Sequence, residues 1–292
     1  MRIITRRKPV KRESCGDISR LDNFGPFRQP QSMEEINPNP EPATGVSKPP
    51  TSLASRLFNV FADPGEVFEE VKNSKSSVAN WLVPTLALMV ISVISVFVIF
   101  SQPAIVQQIR DQQASAMEQQ VKDGKLTQAQ ADQALAMMDK VAGPGMLKIF
   151  GSVGAVFVSF IRLFWWAFIL WLMAMLVLKK KVPFLKMAEV AGLASMVLVL
   201  GAVITTLLTV IMGKLGLTLS PALAISNFNP QNKLHMLLAV PNAFNIWLLV
   251  VSASGLSRLA EVPFGKALLT VVIYWLVFTG VLIAIGLGQF AL

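Results

Sequence analysis

Five long apolar runs fill most of the last two thirds of this 292-residue chain, and they leave few architectures open. A hydrocarbon core about 30 Å thick takes roughly 20 apolar residues per helix. The runs that meet this are Trp81 to Phe100, Ile149 to Leu178, Met187 to Met212, Leu234 to Leu256 and Ala267 to Gln289. Lipid offers no partner to a free backbone group, so a spanning segment must satisfy its own, as a helix or a closed barrel does. Alternating strand-like segments of about ten residues are absent, which argues against a barrel. Composition agrees: 15% of residues are charged, against about 25% in a typical soluble domain. The expected fold is an all-α polytopic membrane protein of five transmembrane helices.

Charge placement orients it. Residues up to 79, with the connections at 179–186 and 257–266, hold eighteen basic residues, while 102–148 and 213–233 hold seven. Basic residues beside spans mark the cytoplasmic side, so the N-terminus is expected in the cytoplasm and the C-terminus outside. The net charge of +9 is therefore read as an orientation signal, with no nucleic-acid partner expected. The lipid bilayer is the first expected partner.

Residues 1–50 are polar and Pro-rich, with no hydrophobic period, and are expected to form a disordered cytoplasmic tail. No apolar stretch follows the first basic cluster, so a cleavable signal peptide is not expected. The composition shifts at Met33, so residues 1–32 could precede the true start of translation. Residues 51–79 read as amphipathic interfacial helices. Leu53, Leu57, Val60 and Phe61 share a face, and Asp63-Pro64-Gly65-Glu66 has the pattern of a helix start, with Asp63 as cap and Pro64 in the first turn. This segment either lies in the membrane interface or presents a docking face.

The five-span domain is expected over residues 80–292, with an extramembrane helical hairpin inserted at 102–146. Ile105, Ile109, Met117 and Val121 form one stripe. Asp123-Gly124 reads as a turn, and Thr127 with Gln130 as a capping box. Ala131, Leu135, Met138 and Ala142 form the second stripe. The two helices either only cover each other or also offer a surface to a partner or a second copy.

Inside the spans, small residues recur at i+4: Gly151, Ala155 and Ser159; Gly201, Thr205 and Thr209; Gly280, Ala284 and Gly288. Such stripes let helix backbones approach closely, within the bundle or between two copies. Arg162 is the one charge well inside a run. It lies about 25 Å from Lys179 at 1.5 Å per residue, toward the outer interface. It either snorkels to headgroups or faces Asn242 and Asn245, which share a face of the fourth run. Those three residues are the candidate intramembrane polar site, and Gly280, Ala284 and Gly288 the candidate helix-packing site.

No pattern for catalysis, nucleotide or metal is present. A lone Cys15 allows neither an internal disulfide nor a cysteine cluster, and one histidine, His235, has no carboxylate nearby in sequence to share a metal with. No enzyme activity, cofactor or metal is expected.

Two stretches resemble the Yip domain family. One is Phe58-Asn59-Val60-Phe61-Ala62-Asp63-Pro64-Gly65-Glu66-Val67-Phe68, followed by Trp81 and Pro84. The other is Phe244-Asn245-Ile246-Trp247, then Gly255-Leu256-Ser257 and Lys266-Ala267-Leu268. The resemblance covers about residues 53–290 and implies a cytoplasmic tail and five spans. The D-L-Y-G-P motif of the eukaryotic, Rab-associated branch is missing, and the large hairpin resembles the bacterial branch. The chain is therefore expected to be a non-enzymatic protein of the bacterial inner membrane, a scaffold or accessory to a partner membrane complex such as an ABC-type transporter, or else a homo-oligomer. The alternative is a permease or channel subunit using the polar site.

Overall fold

The computed structural model describes residues 51–141, 144–214, 218–225, 228 and 232–288. The expected tail of residues 1–50, with Cys15, lies outside the described residues. So do Gln289 at the end of the fifth run and the side chains of Met138 and Ala142 in the second hairpin stripe.

Helix α1 (Leu53–Ala62) starts where Ser52 Oγ accepts the Ser55 N–H at 3.2 Å. Asp63 then joins two helices. Its N–H closes α1 on Asn59 O at 2.8 Å, and its Oδ1 accepts the Glu66 N–H at 3.0 Å to open α2 (Pro64–Asn73). Val67, Phe68 and Val71 form the apolar face of α2, and they are buried against the helix bundle.

Five helical stretches are long and apolar enough to cross a membrane: Ala79–Ile99, Gly145–Val177, Phe184–Met212, Ala243–Ala260 and Phe264–Ala284. The first is α3 (Ala79–Ile99). The hairpin comes next in the chain, as α4 (Pro103–Lys122) and α5 (Gln128–Val141). Its capping box forms from both sides: the Thr127 N–H donates to Gln130 Oε1 at 2.9 Å and the Gln130 N–H to Thr127 Oγ1 at 3.3 Å. Gln108 Nε2 donates to Gly213 O at 2.6 Å, tying the hairpin base to the end of the third span.

The second span is α6 (Pro144–Leu172) running into a π-helical turn, Met173–Val177. The third is two helices, α7 (Phe184–Ala194) and α8 (Met196–Met212). They are joined at Ser195, whose hydroxyl bonds back to Gly192 O at 2.6 Å, a local contact that bends helices.

The fourth run differs most from expectation. It does not form one helix from Leu234 to Leu256. A short helix, α9 (Lys233–Ala239), stops before Pro241, and α10 (Ala243–Ala260) begins anew. Pro241 has no N–H to continue a helix; Val240 before it keeps helical angles, φ −63° and ψ −44°, and the chain turns extended at Asn242. Asn242 caps the new helix. The last span, α11 (Phe264–Ala284), starts and stops earlier than the apolar run. α10 is the most buried span, contacting α2, α7, α8 and α11.

The stripes of small residues divide. A Cβ on Gly151 would meet Val96 Cγ1 at 3.0 Å, and one on Gly201 would meet the Phe244 ring at 2.9 Å. Both glycines therefore sit at close helix contacts. The third stripe lies differently from the first two. Gly280 and Ala284 are exposed, and a Cβ on Gly280 meets nothing within 4 Å. Gly288 lies past the end of α11, beside Met236. Within this chain Gly280 and Ala284 face away from the neighbouring spans, because α11 turns its other faces, with Ala267 and Val271, into the core.

Candidate functional site

Arg162, on α6, lines a cavity of about 440 Å³ bounded by residues of all five spans. A second cavity of about 310 Å³ lies toward the hairpin end and shares Arg162, Ser159, Leu198 and Asn245 with the first. Arg162 thus stands where the two meet. Among the described residues, neither lining contains a carboxylate. Among the described residues Arg162 has no ion pair and no hydrogen bond. A guanidinium carries five donors and cannot be neutralised in a protein, and the described residues supply no acceptor for them.

Asn242 and Asn245 come to the same chamber by a different route from the one expected. They flank the start of α10 rather than lying inside a continuous span. Asn242 Oδ1 accepts the Asn245 N–H at 2.9 Å, and Asn245 Nδ2 donates to Val240 O at 3.2 Å. Both side chains are buried, and they stabilise the elbow between α9 and α10. Asn245 lines both cavities and Asn242 the smaller one. The structure brings Arg162 and Asn245 to one chamber without a hydrogen bond between them.

Sequence reasoning missed most of the wall. Trp165, Trp166, Tyr274, Trp275 and Phe278 face the larger cavity. Trp166 Nε1 donates to Ser252 Oγ on α10 at 2.9 Å, which fixes the ring. The Tyr274 hydroxyl is buried without a well-formed hydrogen bond. The spacing offered a faint signal: Arg162, Trp165 and Trp166 lie on neighbouring turns of one helix face.

A second polar cluster closes the opposite end of the bundle. Glu189, 1% exposed, accepts from Asn80 Nδ2 at 2.6 Å and from the Ser77 N–H at 3.3 Å. Lys186 Nζ lies 3.6 Å from Glu189 Oε1 and donates to the carbonyls of Val71 and Ser74, the latter at 2.8 Å. It thereby satisfies the orphan carbonyls that end α2. Arg56 Nε pairs with Glu70 at 3.3 Å, and Lys72 with Glu261 at 2.9 Å. The hydrogen bond between these last two raises the Lys72 pKa and lowers that of Glu261.

The Yip1 domain matches residues 58–285. No curated protein and no solved structure matches the chain. The match spans both stretches that carry the resemblance, from Phe58 in α1 to Leu268 in α11. The five spans, the paired helices ahead of them and this match lead to one conclusion: the chain is a multi-pass membrane protein and belongs to the Yip1 domain family.

Proposed function

We propose that the chain is a non-enzymatic scaffold or accessory protein of the bacterial inner membrane that modulates a partner membrane complex, with an ABC-type transporter as the first candidate. The N-terminus lies in the cytoplasm and the C-terminus outside, as the basic connections require. The observation that carries this reading is the anchoring of helical units to both ends of one bundle. At one end α2 is held by Lys186, and by Lys72 through Glu261. At the other, the α4–α5 hairpin is tied at its base through Gln108. Fixed platforms suit docking, because a preformed surface loses little entropy on binding. In-cell crosslinking from introduced residues on α5 and α2, followed by mass spectrometry, should recover one reproducible membrane complex. Recovery of lipid-exposed bystanders alone rejects the reading.

The permease alternative has its own support. The joined cavities carry polar groups from Thr279 through Arg162 to Thr218. Against it, the Glu189, Asn80 and Lys186 cluster fills the opposite end. Function and stability of Arg162→Lys, Arg162→Gln and Asn245→Ala separate the two. Tolerance of lysine alone supports the scaffold, and equal loss in all three supports a permease.

A further inference from the structure

We propose that the chamber at Arg162 binds an anionic amphiphile, a lipid-like molecule whose phosphate or carboxylate pairs with the guanidinium and whose chain lies against the aromatic wall. Such a ligand adds to the accessory role proposed above, and the proposal rests on the membrane setting of that role.

Three observations point to this ligand class. The first is charge. Arg162 faces the chamber with no carboxylate in the lining and no partner among the described residues. An uncompensated cation away from water is unfavourable, and an anion supplied from outside the chain relieves it. The fork of donors fits a phosphate or carboxylate oxygen pair.

The second is the wall. Apart from Arg162 and a few hydroxyl and amide groups, the larger cavity is lined by aliphatic and aromatic side chains, including Trp165, Trp275 and Phe278. Its volume of about 440 Å³ falls in the range of sites for organic ligands, about 300–1,000 Å³. A free inorganic anion would satisfy the arginine and leave this apolar space empty. A molecule with a charged head and an apolar chain fills both.

The third is access. α11 packs along α10 and meets the second span at its π-helical turn, while the backbones of α6 and α11 barely approach each other. Side chains fill the seam: Trp165 and Phe278 have ring centroids 6.1 Å apart, as do Trp166 and Tyr274. Trp165 is exposed on the outer face of this seam. Arg162 sits one turn from both tryptophans on α6. A seam closed by rings rather than by backbone packing opens through rotamer changes, and in a bilayer it faces acyl chains. The buried Tyr274 hydroxyl, without a well-formed hydrogen bond, stands beside this route and can donate to a bound head group.

The test uses the full-length protein in neutral detergent. It is titrated with phosphatidylglycerol, phosphatidylcholine and inorganic phosphate, with binding read by native mass spectrometry. We expect phosphatidylglycerol to bind more tightly than phosphatidylcholine by roughly tenfold or more, because the choline ammonium offsets the charge of the phosphate that both lipids carry and crowds the guanidinium with a second cation. Arg162→Gln should erase that preference, and Arg162→Lys should keep part of it. A phosphatidylglycerol carrying a photoreactive chain should label residues 158–166 and 274–279 of the unmodified protein, a result independent of how any variant folds. Equal binding of the two lipids, preference unchanged in Arg162→Gln, or labelling only elsewhere overturns the proposal. Displacement of phosphatidylglycerol by an equal concentration of inorganic phosphate also overturns it, since the site then recognises a bare anion. Partner crosslinks are scored in a separate preparation without added lipid, so failure here leaves the accessory role standing, and failure there leaves the lipid site standing.

Discussion

A Cβ added to Gly192 would lie 2.3 Å from the Cα of Trp81. α7 and α3 therefore touch backbone to backbone, at the point where Pro84 deprives the Asn80 carbonyl of its usual helical donor. Gly192→Ala forces these helices apart. We expect it to destabilise the protein by about 1–3 kcal/mol, the usual scale of overpacking a tight contact. Gly280→Ala, where nothing lies within 4 Å, should leave melting unchanged. Thermal melts of both variants in one detergent check the contrast.

Ala284→Leu tests the outward face of α11. Ala284 is exposed there, with its carbonyl accepting from Lys233 Nζ at 3.1 Å, so a larger side chain has room on the outward side. The melting temperature should not fall. A changed oligomer distribution in the variant, read by size-exclusion chromatography with light scattering, would place a second copy on this face.

The buried pair of Lys186 and Glu189 should be intolerant of single changes. Glu189→Gln leaves the ammonium of Lys186 without its carboxylate, and breaking such a pair costs about 3–5 kcal/mol. Lys186→Met should free the end of α2, because the carbonyls of Val71 and Ser74 lose their donor. Limited proteolysis should then cut between residues 73 and 78 in the variant and not in the parent.

The surface pair Lys72 and Glu261 gives a pH signature. The Glu261 carboxyl titrates below its ordinary value because Lys72 hydrogen-bonds to it. Its contribution is thus present above the ordinary carboxylate pKa and lost as pH falls through the lowered value. Lys72 titrates above its ordinary value for the same reason. Its contribution is present below the ordinary lysine pKa and lost as pH rises through the raised one. Proteolysis near α2 should increase at both acid and alkaline extremes, and Glu261→Gln should weaken that pH dependence, with Glu69 still 3.6 Å from Lys72. Glu261 is exposed and Lys72 is partly so, and salt should weaken the effect.

Orientation is testable directly. A reporter active only outside the cytoplasm should be active when fused after Leu292 and silent when fused after Lys181. The opposite pair of results reverses the topology.

Much of this architecture was legible along the chain. Apolar length alone identifies five spans, because lipid enforces helical backbone pairing over each. Local patterns such as Asp63-Pro64 and Thr127 with Gln130 mark helix starts, because a cap needs only residues within one turn. The break at Pro241 was written there too, and a long apolar run concealed it. What no periodicity could assign was which faces meet. Gly280 and Ala284 have the spacing of a packing stripe and face outward, while Gly192, which belongs to none of those stripes, touches the backbone of a neighbouring span. Arg162 is visible as a lone charge, but its surroundings come from all the other spans, up to about 115 residues away in sequence. Span number and helix ends depend on local chemistry and lipid. The chamber depends on how α6 and α11 diverge from a shared contact, a relationship that exists only once the helices are packed.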